Sequence, residues 1–428
     1  MTPVTPATSA DDAPDAHDAP DDGISRRRLL GTAGVAGATG LVLGAGGGAA
    51  AYAAAEKSPT ALTTMGSTGI AFHDRPHQAG ITEPQQAHGH LVAFDLAPGA
   101  GRKEAAALMR RWSVLAGELM AGRPAGSGDT GVALDAGPSS LTVTFGFGRS
   151  FFDRTSLVTQ RPSGLDPLPS FSSDHLDARR SDGDLWVQIG ANDALVAFHA
   201  LRAIQKAAGE AAGVRWQMNG FNRSPGATAQ PMTARNLMGQ IDGTGNPKPS
   251  EPDFDQRVFL PSGGEHPWLE GGSYAVVRRI RMLLDDWEKL SLHKQEQVIG
   301  RRKSDGAPLT GGTETTELAL DATGPDGKLV IAGNAHARIS APEQNGGAAM
   351  LRRPFSFHDG IGPDGTPDAG LLFVCWQADP LRGFVPVQRK LDRGDALSAF
   401  IRHEASGLFA VPGGPAKGEY LGQRLLES

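Results

Sequence analysis

Asp242 stands in the stretch GQIDGTGNP, residues 239–247, where a carboxylate can serve either of two ends. The Asp-Gly step and the Gly-Asn-Pro that follows tolerate positive φ and begin turns, so a plain loop is one reading. The other is proton transfer, because an aspartate ordinarily ionises near pH ~3.9 and stays a base well into the acid range. The chain also carries twelve histidines. His73, His77, His88 and His90 cluster with Asp74, and two histidines four apart on a helix would suit a metal. Pro76 and Gly80 argue against a helix there, which leaves solvated loop histidines. His199 falls in an amphipathic helical pattern, His293 in a second helical segment, and His358 beside Asp359 in a turn. The single cysteine, Cys375 in LLFVCWQ, excludes an intramolecular disulfide and any zinc site built on several thiolates. It reads as a buried strand thiol.

The elements that must position these residues come in two similar runs. In the first, a strand at 90–96 is followed by a helix at 103–120, an alternating strand at 140–148 and a Pro/Ser/Asp-rich loop over 160–183. DLWVQIGANDALVAFHALRAI, 184–204, reads as a strand that breaks at Asn192-Asp193 into a helix, with a last strand at 214–218. The second run has a strand at 273–282 and a helix at 287–302, and LLFVCWQADPLRGFVPVQRKL, 371–391, echoes the 184–204 segment. Two copies of a split βαβ unit are the simplest account. The expected fold class is α+β: a duplicated ferredoxin-like fold, two antiparallel sheets with flanking helices, and a cavity mainly in the C-terminal half.

Charge narrows the partners. The formal net charge is -6 and, beyond Arg26-Arg27-Arg28, arginines and lysines come in short pairs, so no phosphate-binding stripe forms and nucleic acid is not expected. Residues 1–23 are acidic and poor in apolar side chains, a composition that stays disordered. SRRRLLGTAGVAGATGLVLGAGGGAAAYAAA follows, with Arg26-Arg27, a Gly/Ala-rich apolar run and a small-residue site at Ala51-Tyr52-Ala53. That layout is a twin-arginine export signal; as a membrane span the run is too short and glycine-broken. Residues 1–55 are therefore expected to be leader and signal, read by the twin-arginine translocation machinery, with the mature protein periplasmic or extracellular.

Four segments together resemble the dye-decolourising peroxidases, a haem enzyme family with a duplicated ferredoxin-like fold. GQIDGTGNP matches the family's GxxDG signature, and PHQAGITEPQQ, 76–86, its N-terminal stretch. NAHARISAPE, 334–343, is similar to its proximal-histidine segment, and MLRRPFSFHDG, 350–360, to the arginine segment that follows. The likeness runs from about residue 70 to the C-terminus. Gln240 and Ile241 fill the variable signature positions, while Pro354 stands where the family often has glycine and bears on the aim of Arg352, since proline restricts the residues around it.

The resemblance implies two halves, 56–235 and 236–428, with the haem site in the second, and one haem b per chain. It makes His336 the axial ligand of the haem iron, Asp242 the base that moves the peroxide proton, and Arg352 the cation beside it, with Arg353 as the alternative. Gly243 and Thr244 would lie against the cofactor and Arg338 would pair with a haem propionate. The other nitrogen of a ligating imidazole usually donates to a carboxylate, for which Asp392 and Asp395 both qualify. Trp376 is either plain core or a relay point for bulky donors oxidised at the surface. The implied activity is reduction of hydrogen peroxide with one-electron oxidation of organic reductants such as dyes or phenolics, at an acidic optimum. An exported haem- and iron-handling role, deferrochelatase-like, is the rival implication. An oligomer is compatible with the sequence.

Overall fold

Residues 64–126, 128–228 and 232–428 are described by the structure, a computed structural model; the expected leader and signal at 1–55 lie outside them. The first half opens with β1 (His88–Leu96) and α1 (Arg102–Met120). Glu104 accepts the Gly101 N–H at 3.0 Å and caps the start of α1, and Leu108, Met109, Trp112, Ala116 and Leu119 recur at helical spacing on its buried face. β2 (Thr142–Gly148) and β3 (Leu185–Ala191) follow. Asp193 then turns the chain into α2 (Ala194–Ala208), accepting the Leu195 and Val196 N–H groups at 2.9 Å each, at the break the sequence marks. β4 (Ala212–Phe221) completes the unit.

The second half starts with β5 (Ser273–Met282). The single helix expected over 287–302 is instead a short turn at Leu284–Glu288 and then α3 (Leu292–Ile299). Ser291 accepts the Lys294 N–H and begins α3 afresh, and Gly300, at φ 89°, ends it. Residues 300–335 contain no helix or strand. α4 (His336–Ile339), β6 (Leu351–Arg352), β7 (Phe355–Ile361), β8 (Pro367–Gln377), α5 (Phe384–Gly394) and β9 (Ile401–Val411) complete the fold.

Each half carries the same antiparallel strand order, β4-β1-β3-β2 and β9-β5-β8-β7. The two expected sheets are joined at both edges, by β2 to β9 through Phe147–Ala410 and Gly148–Phe409, and by β4 to β7 through Phe221–Ser356. Nine strands thus close into one ring. Leu91, Trp186, Val277, Val374, Trp376 and Phe409 fill the space between the two sheets. Strands covered on both faces need apolar residues at nearly every position, and β2 and β3 are buried throughout. Cys375 is buried in β8 as expected, and burial pushes its thiol pKa up.

Candidate active site

The loop 239–247 is shaped by its own backbone. Asp242 donates its N–H to Ala234 at 2.9 Å, and Gly243 takes φ 134°, where a side chain would be strained and a Cβ would crowd Thr233 at 3.2 Å. The Asp242 carboxylate is held on both oxygens: Asn236 Nδ2 donates at 3.3 Å and Arg352 Nη1 at 3.1 Å. Arg352 lies on β6, opposite Cys375 of β8, so the central sheet sets its position. Asn246 fixes its direction by accepting Arg352 N–H and Nε–H at 3.1 Å each and donating to Arg352 O at 2.7 Å. Pro354 does not spoil that aim.

Arg353 is a different kind of residue. It is buried, and its guanidinium donates to Ile81 O, Glu83 O, Pro84 O and Gln86 Oε1. It therefore staples the 81–86 loop, and burial drives its pKa down to about 10. Of the two arginines, Arg352 is the one that meets Asp242.

On the other side stands His336, first residue of α4. Its Nδ1 meets Asp395 Oδ2 at 2.7 Å, and Asp395 is itself fixed by the Leu397 N–H at 2.9 Å, with Ala396 N donating to Asn334 O at 3.0 Å. A carboxylate acceptor puts the imidazole proton on Nδ1 and leaves the Nε2 lone pair free. Burial works against protonation of His336, but the charge and hydrogen bond of Asp395, with a further contribution from Asp242, hold its pKa above the ordinary value; Arg352 opposes them. Asp392 is not the partner. It accepts the Ser172 and Ser173 N–H groups at 2.9 and 2.7 Å and ties the 171–177 loop to α5.

These side chains lie within electrostatic reach of one another. His336 is enclosed by protein, yet 30% of its side-chain surface is accessible, as are 27% of Arg352 and 20% of Asp242. His336 also feels both distal charges. An imidazole lone pair near a paired acid and guanidinium is a donor set that would suit a haem: His336 would hold the iron, and Asp242 and Arg352 would manage the proton and charge of its peroxide chemistry.

The remaining candidates separate. Thr244 Oγ1 donates to Glu314 Oε1 at 3.0 Å, an oxygen shared with Thr233 Oγ1 at 2.6 Å. Arg338 spends Nε and Nη2 on Ile331 O, at 3.1 and 2.9 Å, and Nη2 also on Leu320 O, so its fork braces the loop ahead of His336. Trp376 is buried between the sheets, 5.8 Å from the Trp186 ring. His199 pairs with Asp129 at 3.0 Å in the first half, and His293 and His358 are exposed. His73 and His77 lie in irregular chain, whereas His88 and His90, expected in a loop, belong to β1; among the described residues no three His, Cys, Asp or Glu side chains gather to hold a metal ion. Sequence reasoning missed Asn246, although it stands four residues after Asp242 in the same quoted stretch, and Glu314, which lies in an irregular segment with no local signal.

Comparison with known proteins agrees with this arrangement. Residues 78–222 match the N-terminal part of the Dyp-type peroxidase family and residues 233–416 its C-terminal part. A dye-decolorizing peroxidase of Thermobifida fusca (strain YX) is 45% identical, over 82% of this chain and 84% of that protein. A deferrochelatase of Yersinia pestis bv. Antiqua (strain Nepal516) is 38% identical over 96% of this chain and 97% of its own length. The crystal structure of a DyP-type peroxidase from Streptomyces coelicolor shares 76% identity with a TM-score of 0.84, covering 86% of this chain and all of that one. Ferric DtpA from Streptomyces lividans is 75% identical over the same shares, again with a TM-score of 0.84. With a duplicated βαββαβ ring and both family regions matched, the chain belongs to the Dyp-type peroxidase family.

Proposed function

We propose that the protein binds one haem b per chain through His336 and, with Asp242 and Arg352 opposite, reduces hydrogen peroxide at the expense of dyes, phenolics or similar one-electron donors. The observation that carries the reading is the 3.1 Å Arg352–Asp242 pair, both of whose charges act on His336. Haem, when bound, supplies the redox chemistry. The chain's part is proton management and orientation. Asp242 takes a proton from one peroxide oxygen and returns it to the other as that oxygen departs. Arg352, held by Asn246, keeps a positive charge beside the oxygen on which negative charge develops. Asp395 keeps the His336 proton on Nδ1, so the Nε2 lone pair would be left for the haem iron.

Residues 1–55 are read as a twin-arginine address that delivers the folded protein to the periplasm or beyond. The second reading, an exported component that handles haem or iron, draws on the deferrochelatase relatives, whose similarity spans nearly the whole chain. Simple haem capture has no need of Asp242, and this separates the two.

The test is the visible spectrum of the haem-loaded protein before and after one equivalent of hydrogen peroxide, compared with Asp242→Asn. The expected result is equal haem retention with a peroxide response slowed by about 10²–10⁴-fold, the usual contribution of a positioned acid–base group. An equally fast response in the variant overturns Asp242 as proton carrier. A haem-bound wild type that ignores peroxide favours the haem-handling role. The same proton role places the activity optimum on the acid side of neutrality, checked by a rate profile against pH.

A further inference from the structure

The histidines that β1 carries at 88 and 90 stand at one of the two joints of the ring. β1 turns Gly89 inward, where a Cβ would sit 2.5 Å from the Phe355 ring, so His88 and His90, one residue to either side, share the opposite face. They pair with Phe221 and Asn219 of β4, and β4 meets β7 in the single pair Phe221–Ser356. Two residues further along β7, His358 comes level with Asn219 on that same face. His88, His90, Asn219, Phe221 and His358 line a cleft of about 330 Å³ there.

The imidazole of His90 is set in one tautomer. Its Nδ1 donates to Asn219 Oδ1 at 2.9 Å. Gln217 donates to the same oxygen at 2.9 Å and is itself held by Gln205 at 2.7 Å, so the amide chain keeps that oxygen turned towards His90. An acceptor on Nδ1 leaves the lone pair on Nε2, as a ligating imidazole needs. Burial lowers the His90 pKa, the Asn219 bond opposes that, and His88 lowers it further, which places the two rings within electrostatic reach. Among the described residues no hydrogen bond engages the ring of His88 or His358. Asp359, by contrast, is spent on Arg279 at 2.9 Å.

We propose that His88, His90 and His358 bind a divalent ion that prefers nitrogen donors, such as zinc or nickel, and that the ion clasps the first sheet to the second where β4 meets β7. His88 and His90 supply a two-imidazole chelate from one strand. In the structure no three side chains converge on one point; His358 is exposed and completes the set by changing rotamer, which a ring with no partner does at little cost. Imidazole suits zinc and nickel, whereas magnesium and calcium prefer oxygen. The site shares no residue with the His336, Asp242 and Arg352 group and does not depend on the haem reading.

The experiment uses the protein as isolated, cleared of loosely held metal by EDTA and gel filtration. Zinc chloride is titrated by calorimetry, and denaturant midpoints are measured with and without zinc. The wild type should take up a single tight equivalent, and its midpoint should rise with zinc concentration, as binding to the folded form requires. Asn219→Ala, which removes the acceptor on Nδ1, should weaken binding by about 10–100-fold, the weight of an outer partner of a ligating histidine. His88→Gln and His90→Gln should each weaken it at least as much, and His358→Gln should lower both the affinity and the rise in midpoint. Matching midpoints without zinc show that the variants are folded. A wild type with no tight equivalent, or an equivalent that survives His88→Gln and His90→Gln, overturns the site, and binding untouched by His358→Gln overturns the clasp.

Discussion

The two halves of the ring share one topology and differ in what covers the outer face of each sheet. In the first half, α1 and α2 are long and lie flat on it, and Phe94, Val187 and Ile189 beneath them are fully buried. In the second, the longest helix before His336 is α3, the chain from 300 to 335 is irregular, and Ile280 and Phe373 of the sheet stay partly accessible. The fold is the same in both. The site exists where the helical cover was shortened and polar groups were set around the gap. On this view the first half is a stability element and the second a working one, and substitutions in each should fail differently.

The largest effect should come from the filled half. Trp112 of α1 packs 5.0 Å from Phe94 and 5.6 Å from Phe145, and its Nε1 donates to Ile204 O of α2 at 3.0 Å. Trp112→Ala removes that packing and a buried hydrogen bond, with an expected loss of about 3–5 kcal/mol in unfolding free energy by denaturant titration. Peroxidase turnover per folded molecule should be unchanged. A large fall in turnover at full folding would erase the division between the halves.

Next in size is a pH effect within the second half, where two imidazoles shift in opposite directions. His403 of β9 is buried beside Arg278, and burial, then the arginine's charge, bring its pKa down to about 3. The unfolded chain takes up a proton near pH ~6.5 and the folded one resists it. Stability therefore falls as pH drops from that value towards 3, by roughly 1.4 kcal/mol per pH unit at the steepest. His403→Gln should flatten this acid limb. His336 has a raised pKa in the haem-free protein. Its contribution is full below pH ~6.5 and fades as pH rises through the folded value, so His336→Gln should flatten the alkaline side. Denaturation midpoints across pH for both variants test the signs, and matching slopes in the two would refute the contrast.

A smaller effect belongs to the contact that makes His336 different from His403. Asp395→Asn keeps the shape but replaces the acceptor that holds the Nδ1 proton. Loss of a carboxylate behind a ligating histidine typically costs about 10–100-fold in metal affinity. The haem dissociation rate should rise within that range, and an unchanged rate would mean that packing alone orients the imidazole.

How much of this was legible in the sequence follows the same division. Where strands and helices carry periodic apolar patterns, as at 103–120 or 184–204, the elements appear with small shifts in their ends. β9 was not read, because IRHEASGLFAV opens with charges that pair or bury among loops of the other half. Asp242, His336 and Arg352 were singled out through short segments that resemble the family's, and the structure brings Arg352 to Asp242. The partner of His336 stayed open between Asp392 and Asp395 because three residues along a helix end decide which way a carboxylate points. Glu314 was invisible for a different reason: irregular chain has no period, and its contacts span residues far apart in sequence.

Thr244 gives the finest test of that last point. The resemblance places it against the cofactor, whereas its hydroxyl donates to Glu314 Oε1 at 3.0 Å. Glu314 retains Thr233 at 2.6 Å, and Asp242 retains Asn236 and Arg352. Thr244→Val keeps the volume and removes one hydrogen bond, so the expected loss is about 1 kcal/mol in stability. Turnover should change by only a few fold, about the exponent of such an energy, because the proton carrier keeps both its own partners. Glu314→Gln should act on the same loop and combine with Thr244→Val less than additively, since the two side chains share one interaction. If Thr244→Val instead lowers turnover as deeply as Asp242→Asn, its hydroxyl meets the reacting groups directly, and the loop is held less by its frame than by what it binds.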